Sequence, residues 1–542
     1  VASIIGERFS ASELHTLAPD LDVSRAIAGL RRAGLVLEDR ETREPDRYRF
    51  KHLLMRDVAY AGLPKAVRAD LHEAFGDQLA RAVGDRREEF AEILAYHVER
   101  AFTLSVEVRA LREIVEPRAR RALDLALELG ERARRRQDRG LLAPYAGVAS
   151  AAVAALGERA SAEDRIRATL LGANERRLAA ASGEARAGFE HAADLARELG
   201  RADLEAQAHL GAAATIVFFA TDTELPALTG HLADAERLFR AAGDTGGEIE
   251  AGVIGLEALW GSGRIAELVR QGGALRDRAR EIGDGPRELQ VSGRLVSAAL
   301  LLGRPDLADA YQAATDELIA RLGSREPPWS RVARCARLRF EGAFDAAEEC
   351  YRENLAAALT EGDALLQIGS LRNIAELMLD EDRFAESEQL AEQALEVSNR
   401  IGERWSRTEL TATLAVAVAG RRDFDRADRT LLEARSLVRA YDTFAIAWVA
   451  FCAARIRELE GRDEEAEAEF RACMDVFAAT EFLYRAAEAQ LEFAAFLARR
   501  GRGADATREL EGAEAVLGRQ TGARGKRIAA LREALALPRA AG

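Results

Sequence analysis

From about Pro64 onward, Ala, Leu, Glu and Arg recur at helical spacing with Gly or Asp breaks between runs, which predicts one helix after another. The phrases Gly342–Ala347, Arg383–Ser387 and Arg422–Ala427 fall in register, and Gly461–Ala466 and Gly501–Ala506 continue the series. The small residue closing each phrase (Ala347, Ser387, Ala427, Ala466, Ala506) returns every 39 or 40 residues. Twelve positions upstream lies a second small column, Cys335, Ala375, Ala415, Ala454 and Ala494. Seven positions downstream lies a third, Ala394, Ala434, Cys473 and Ala513, broken only by Asn354. The phrase extends upstream less cleanly through Ala308, Ala266, Ala227, Ala187 and the neighbourhood of Ala146, giving about ten units. Small residues at fixed offsets let two antiparallel helices approach closely, while larger neighbours fill the remaining space. A hairpin of that kind has no core of its own and must stack on its neighbours.

The first 85 or so residues follow another pattern. Ser10-Ala11-Ser12-Glu13 reads as a capping box, and Asp22 caps a second helix that stops at Gly34. Residues 35–39 and 48–50 read as two strands joined by the polar segment 40–47, and strand is expected nowhere else. Helix, helix, strand, wing, strand, helix is the winged-helix order. Its second helix offers only Arg25, Arg31 and Arg32 against Asp22, a poor phosphate-binding face, so this segment is not expected to contact nucleic acid.

Charge reinforces that exclusion: 77 basic against 91 acidic side chains leave a net charge of -14. The four cysteines show no metal-ligand spacing, and a disulfide is not expected, which reads as a reducing, cytoplasmic compartment. The longest apolar run, Ala212–Ala220, is too short for a membrane span. The chain opens at Val1 and reads as a piece of a longer protein. There is no G-x-x-x-x-G-K-[ST], H-E-x-x-H or G-x-S-x-G, and Gly261–Ala266 imitates a dinucleotide fingerprint only because a repeat turn falls there. No catalytic residue, metal site or bound cofactor is expected.

The columns resemble the tetratricopeptide repeat, with Ala347/Tyr351 and Ala466/Phe470 at its small and aromatic positions. The period is closest to the ~40-residue variant in the sensor superhelix of the bacterial maltose-regulon activator family. The resemblance implies an all-α fold in which about ten helical hairpins wind into an α/α superhelix behind a small winged-helix domain. Expected boundaries are 1–84 for the winged helix, 85–136 for connecting helices and 137–542 for the superhelix.

Residues 48–72, with Tyr48–Tyr60, Leu63-Pro64-Lys65 and Arg68–His72, and the later Ile93–His97, resemble a segment of large bacterial signalling proteins. There it follows a STAND-type ATPase module joined to an adenylate/guanylate cyclase or a LuxR-type DNA-binding domain. It is also similar to the M-H-D region of plant NLR receptors, with His52 at the histidine position. The resemblance implies a regulatory portion that controls an upstream nucleotide-binding and output module, ATP or ADP being held by the parent and not by this chain. The alternatives are the sensor part of a LuxR-type transcription activator and a free-standing interaction scaffold. By the same resemblance His52 would touch the nucleotide phosphate; the residue pattern equally fits a buttress beside the following helix, and Arg56 with Asp57 fits an ion pair.

In the tetratricopeptide register, the first helix of each hairpin lines the concave face. Its inward positions include Trp329, Arg339, Arg372, Glu376, Glu409, Trp448, Arg455, Glu458 and Glu488. Arginine and aromatic groups on a curved groove suit a small-molecule effector such as a sugar, a peptide or a helix of a protein partner. The alternative for Trp329 and Trp448 is packing between repeats. Arg372, Arg455, Trp448, Glu376 and Trp329 are the candidate contacts, the arginines being read as cations that packing does not require. Glu376 and Glu458, four and three residues on, are their alternative partners in surface ion pairs. The isolated chain is expected neither to hydrolyse ATP nor to cyclise it; turnover that survives purification and maps to this segment would contradict that.

Overall fold

The capping box forms as its sequence predicts: the Glu13 amide donates to Ser10 Oγ at 3.1 Å, and the Ser10 amide donates to Glu13 Oε2 at 2.6 Å. The computed structural model describes residues 1–39, 46–83, 90–135, 139–179, 181–219, 225–323, 326, 328–440, 442–518 and 520–536. The chain divides into Val1–Glu175 and Arg176–Gly542.

The first unit opens with α1 (Ala2–Ile5), β1 (Arg8–Ser10), α2 (Ala11–Leu17), α3 (Val23–Arg32), β2 (Val36–Glu38), β3 (Arg47–Phe50) and α4 (Leu53–Ala61). Asp22 caps α3 through the Arg25 amide at 3.0 Å, and Gly34 with φ +67 turns the chain into β2. The two expected strands are present, and a third was not foreseen: β1 pairs with β3 in an antiparallel sheet of order β1-β3-β2. Three residues with one buried side chain, Phe9, carry too little alternation to announce a strand. Most of the expected wing, residues 40–45, lies outside the described residues. Phe9, Leu14, Ile27, Val36, Tyr48 and Phe50 form the core.

Long helices follow: α5 (Lys65–Val83), α6 (Ala91–Glu107), α7 (Arg112–Arg135), α8 (Arg139–Leu156) and α9 (Ala162–Leu178), the last running past Glu175. The stretch Gly140–Arg159 is long and apolar enough to cross a membrane by length and composition, with 28% of the window buried. Its apolar residues, alanine with leucine and valine, are interleaved with Gly, Ser and Pro, so it contains no long unbroken apolar run. Leu142, Ala146, Ala149, Ala152 and Leu156 form its buried stripe.

The second unit begins with α10 (Ser182–Leu199) and continues in helical hairpins: α11 (Ala202–Phe219) with α12 (Leu225–Ala242), α13 (Thr245–Gly261) with α14 (Ile265–Glu281), and α15 (Gly285–Leu301) with α16 (Pro305–Leu322). Next come α17 (Pro328–Phe340) with α18 (Phe344–Glu361), α19 (Ala364–Asp380) with α20 (Phe384–Ile401), and α21 (Arg407–Gly420) with α22 (Phe424–Leu437). The series closes with α23 (Thr443–Glu460) and α24 (Asp463–Ala478), α25 (Leu483–Arg499) and α26 (Gly503–Leu517), and the single helix α27 (Gly522–Ala534). This is the expected tetratricopeptide-like α/α superhelix.

The three columns explain the winding. Every member from Cys335 to Ala513, Asn354 included, is 0% exposed. The upstream extension is only partly right. Ala308 is fully buried, but Ala266, Ala227 and Ala187 face outward, and the buried positions beside them are Leu268, Leu228 and Ala185. Beside Leu228 and Leu268 the small residues lie on neighbouring helices, while on α10 the small position is shifted by two residues to Ala185. A methyl group on Gly247 would meet the Phe239 ring at 2.2 Å, and one on Gly252 would meet Leu275 at 2.6 Å. The summed volume at the contact is kept, not the position of the small residue.

The cysteine expectation also fails, because Cys335 on α17 and Cys350 on α18 are disulfide-bonded. Hairpin packing brings their Cα atoms to 5.5 Å without any short sequence motif. The cysteine argument for a reducing compartment thereby loses its ground.

Successive turns of the superhelix touch. The Glu481 amide donates to Gly263 O at 3.2 Å, and Glu481 Oε2 accepts from the Ala266 amide, 215 residues away, at 2.7 Å. The Thr521 amide and hydroxyl both donate to Glu341 O, at 3.0 and 2.9 Å. At these points the turn glycines matter sterically: a methyl group on Gly303 would meet Val516 Cγ1 at 2.6 Å, and one on Gly342 would meet Thr521 O at 2.6 Å. Gly342 and Gly461 share φ +79, yet Gly461 faces open space. Replacing either by alanine costs about 1–2 kcal/mol of left-handed strain. Gly342→Ala is expected to cost about 1–3 kcal/mol more, through overpacking against Thr521. Equal losses for the two variants in urea titrations would mean that the turns do not press together.

Candidate functional site

The first helices of successive hairpins, α17, α19, α21, α23 and α25, turn one face each toward the superhelix axis, and those faces carry charge. Arg339 on α17 donates to Glu376 Oε2 on α19 at 2.7 Å and to Asp380 Oδ2 at 3.0 Å. Arg485 on α25 reaches the same Glu376 oxygen at 2.9 Å and Glu488 Oε2 at 2.9 Å. Arg372 pairs with Glu409 on α21, and Arg455 on α23 lies 3.3 Å from Glu492 Oε2 and 3.4 Å from Asp382. Trp448 is buried, donates to Thr413 Oγ1 at 3.2 Å and stacks on Phe444, with the Arg485 guanidinium 5.6 Å from its ring centroid.

Most of the sequence-derived candidates are therefore neighbours, though not in the expected pairs. Arg372 lies 3.8 Å from Glu376 but is in direct contact with Glu409, and Glu458 serves Arg499 instead of Arg455. The partners sit 37 residues apart, as in Arg339–Glu376, Arg372–Glu409 and Arg455–Glu492. That offset, a little less than one repeat, joins equivalent faces of adjacent first helices, and it was readable in the sequence. Both arginines are engaged by buried carboxylates, so packing does require them. Glu492 and Asp380 were missed although they lie about one repeat from Arg455 and Arg339. Arg485, Tyr484 and Arg524 were missed because the contacts that bring them in have no short-range signal. The Trp329 side chain lies outside the described residues.

Burial alone would raise the Glu376 carboxyl, but Arg485, Arg339 and Arg372 outweigh it and hold it down at about 2. Glu488 behaves alike: burial opposes ionisation, and Arg339, Arg485 and Arg524 bring it to about 2. On this face Arg339 Nε, Arg372 Nε and Glu376 Oε1 are buried without a hydrogen bond among the described residues, Arg372 Nε facing Glu376 Oε1 at 3.8 Å and Arg339 Nε facing Glu488 Oε1 at 3.9 Å. A cavity of about 60 Å³ lies on the axis, lined by Arg339, Asp380, Trp448, Arg485, Glu488 and Arg524 among others. It has room for a few water molecules but not for a sugar. Among the described residues no group of side chains is arranged to hold a metal ion.

In the first unit, His52 precedes α4 in extended conformation, is exposed and makes no capping bond. Arg56 donates to Asp57 at 3.0 Å, the ion pair expected. α4 has no buried residue, and Leu54 and Val58 are 72% and 66% exposed. Histidines scattered in sequence meet in space. His72 and His97 are buried, their Nδ1 atoms 2.9 Å apart, with Tyr60 Oη 2.9 Å from His72 Nε2. Burial holds both rings neutral, His72 at about 3, with the charges of His97, Arg100 and Arg68 adding to it, and His97 at about 4.

No family model matches the chain, and no curated protein does. Among solved structures it is similar to a Rap protein complexed with Competence and Sporulation Factor: 10% identity, 69% of this chain and 100% of that one, TM-score 0.49. It is also similar to a Signal Transduction ATPase with Numerous Domains protein with a tetratricopeptide repeat sensor from Pyrococcus horikoshii. That match has 13% identity, 88% of this chain, 62% of that one and a TM-score of 0.33. Yeast Tom70 aligns at 14% identity over 75% of this chain and 92% of its own, TM-score 0.34. The hairpin architecture stands on this chain's own helices and contacts.

Two of the axial carboxylates, Glu376 and Glu488, set an acid limit, whereas burial raises Glu409 to about 7 despite Arg372. Unfolded, Glu376 and Glu488 take up protons near 4.5; folded, near 2. Their stabilisation is complete above pH 4.5 and is lost as the pH falls through that window. Arg339→Met removes a cation shared by both, and breaking such a buried pair costs about 3–5 kcal/mol at neutral pH. The variant's acid unfolding, followed by circular dichroism, should begin at higher pH than the wild type's; coincident acid transitions would refute the pairing.

Proposed function

We propose that the chain is the regulatory portion of a multidomain bacterial signal-transduction ATPase. In this reading the superhelix binds a protein, peptide or small-molecule effector on its axial face. The first unit, a winged helix with connecting helices, relays occupancy to a nucleotide-binding module whose output is nucleotide cyclisation, with transcription activation as the second choice. The observation that carries the reading is the buried polar axis with hydrogen-bonding capacity left over at Arg339, Arg372 and Glu376. Buried polar atoms without partners are costly, and an incoming ligand that satisfies them gains what the closed axis forgoes. Arg372, Arg455, Trp448, Glu376 and Trp329 are assigned to that face as effector contacts.

The apolar, exposed face of α4 beside His52 supports the relay, since a surface of this kind is where another protein module would rest. The residues present do not make a nucleotide site by themselves: one exposed imidazole without a phosphate-binding loop supplies a single hydrogen bond. No step through ATP is assigned to this chain, whose part would be to hold or release a phosphate held mainly by another module.

In the full-length protein, His52→Ala is expected to weaken ADP retention and raise basal output. A hydrogen bond to a charged phosphate is worth about 1.5–3 kcal/mol, which moves a two-state equilibrium by roughly one to two orders of magnitude. Wild-type ADP affinity and basal output in a folded variant would reduce His52 to a surface residue.

A further inference from the structure

The axial face is partly occupied by the chain's own end. Arg524, at the start of α27, is 5% exposed. Its guanidinium donates to Arg339 O at 3.1 Å and Phe340 O at 3.2 Å, the last carbonyls of α17. It also donates to Tyr484 Oη at 3.2 Å and to Glu488, with the Phe344 and Tyr484 rings 5.2 and 5.6 Å from its carbon. A helix C-terminus, a carboxylate and two aromatic faces make a built site for a planar cation. The approach to it is equally particular. Thr521 docks on Glu341 O by amide and hydroxyl, and a methyl group on Gly522 would meet Gly342 O at 2.2 Å.

The contacts of α27 are of two kinds. Ile528 and Leu531 join an apolar cluster that includes Leu510, Ala513 and Leu517 of the preceding α26, Tyr484 and Leu491 of α25, and Phe340 of α17. The Thr521–Arg524 contacts reach α17 and the turn after it, 180 or more residues away, and also Tyr484 and Glu488 on α25. Thr521–Arg524 thus lies between two anchored helices and is held by hydrogen bonds and aromatic contacts, with no aliphatic side chain of its own in the core.

We infer that Thr521–Arg524 is an internal occupant of a peptide-binding pocket, and that the pocket's external ligand is a peptide presenting an arginine next to glycine. This rests on the reading of the superhelix as a partner-binding module and names the partner's chemistry. A tethered segment competes at an effective concentration on the order of millimolar, so a free peptide of the same sequence gains the pocket only when the tethered copy is lifted out.

The probe is a synthetic peptide of residues 520–530, added to the full chain and followed by fluorescence anisotropy. Gly522→Val, which cannot seat against Gly342, should bind it one to one and at least tenfold tighter than the wild-type chain does. The same peptide carrying Arg524→Ala should bind that variant at least tenfold more weakly. Should Gly522→Val fail to fold, Arg524→Ala in the chain empties the pocket while leaving the glycine contact intact, and the same gain is expected. A folded variant that binds no better than wild type, or binding indifferent to the peptide's arginine, overturns the pocket. Neither measurement uses the native effector, so peptide binding in a protein whose output never answers an effector sinks only the sensor reading.

Discussion

The second unit depends on how closely paired helices can approach. At three positions per repeat the contacting residue is fully buried and nearly always Ala, Ser or Cys, and around these points larger side chains such as Tyr351 and Phe470 close the space. Neither helix of a hairpin could hold the other by propensity alone, since isolated helices of this length are marginal in water. The close approach sets the hairpin angle, the angle repeated along the chain sets the winding, and the winding brings distant turns into contact. In the earlier hairpins the same approach is met by glycine against phenylalanine or leucine, so the constraint acts on the pair and not on a column of letters.

Winding has an electrostatic consequence. The inward faces carry charge, and closure takes that charge out of water, which is tolerable only if each cation finds a carboxylate. Arginine suits this better than lysine because its fork can serve two acceptors at once, as Arg339 serves Glu376 and Asp380. The outcome is a polar seam that adds little net stability but is intolerant of error. A single missing partner strands a carboxylate in a site where burial already disfavours its ionised form. Such a seam discriminates between closed and open windings more than it strengthens either.

Much of the architecture was legible in the sequence and part of the site was not, for one reason. Helix, cap and column signals are local or strictly periodic, so Ser10–Glu13, Asp22 and the columns from Cys335 to Ala513 could be read directly. The register slips at Ala266, Ala227 and Ala187 because the packing constrains the summed volume of facing residues and not the position of the small one. The strand Arg8–Ser10 was too short to show alternation. The gathering of Arg372, Trp448 and Arg455 on one face follows from helix phase. The arginines' partners, however, lie a 37-residue step away on the equivalent face of the next first helix and not among neighbours three or four residues on. Arg524 and Arg485 come from the next turn of the superhelix, and no periodicity within one turn points to them. The pairing of Cys335 with Cys350 is similarly a product of hairpin geometry.

The touching turns bear on how this array could change its length over generations. Repeat proteins commonly gain or lose whole units, since each unit meets only its neighbours. Between α13 and α27 that freedom is gone. Gly263, Gly303 and Gly342 each face a particular later turn, and excising or duplicating one hairpin in between would present each of them to a different segment. Earlier turn glycines such as Gly200 and Gly243 face open space. Copy number is therefore free to drift toward the start of the second unit and frozen in its remainder, so relatives of this chain should differ in the number of hairpins preceding α13 before they differ in the number that follow.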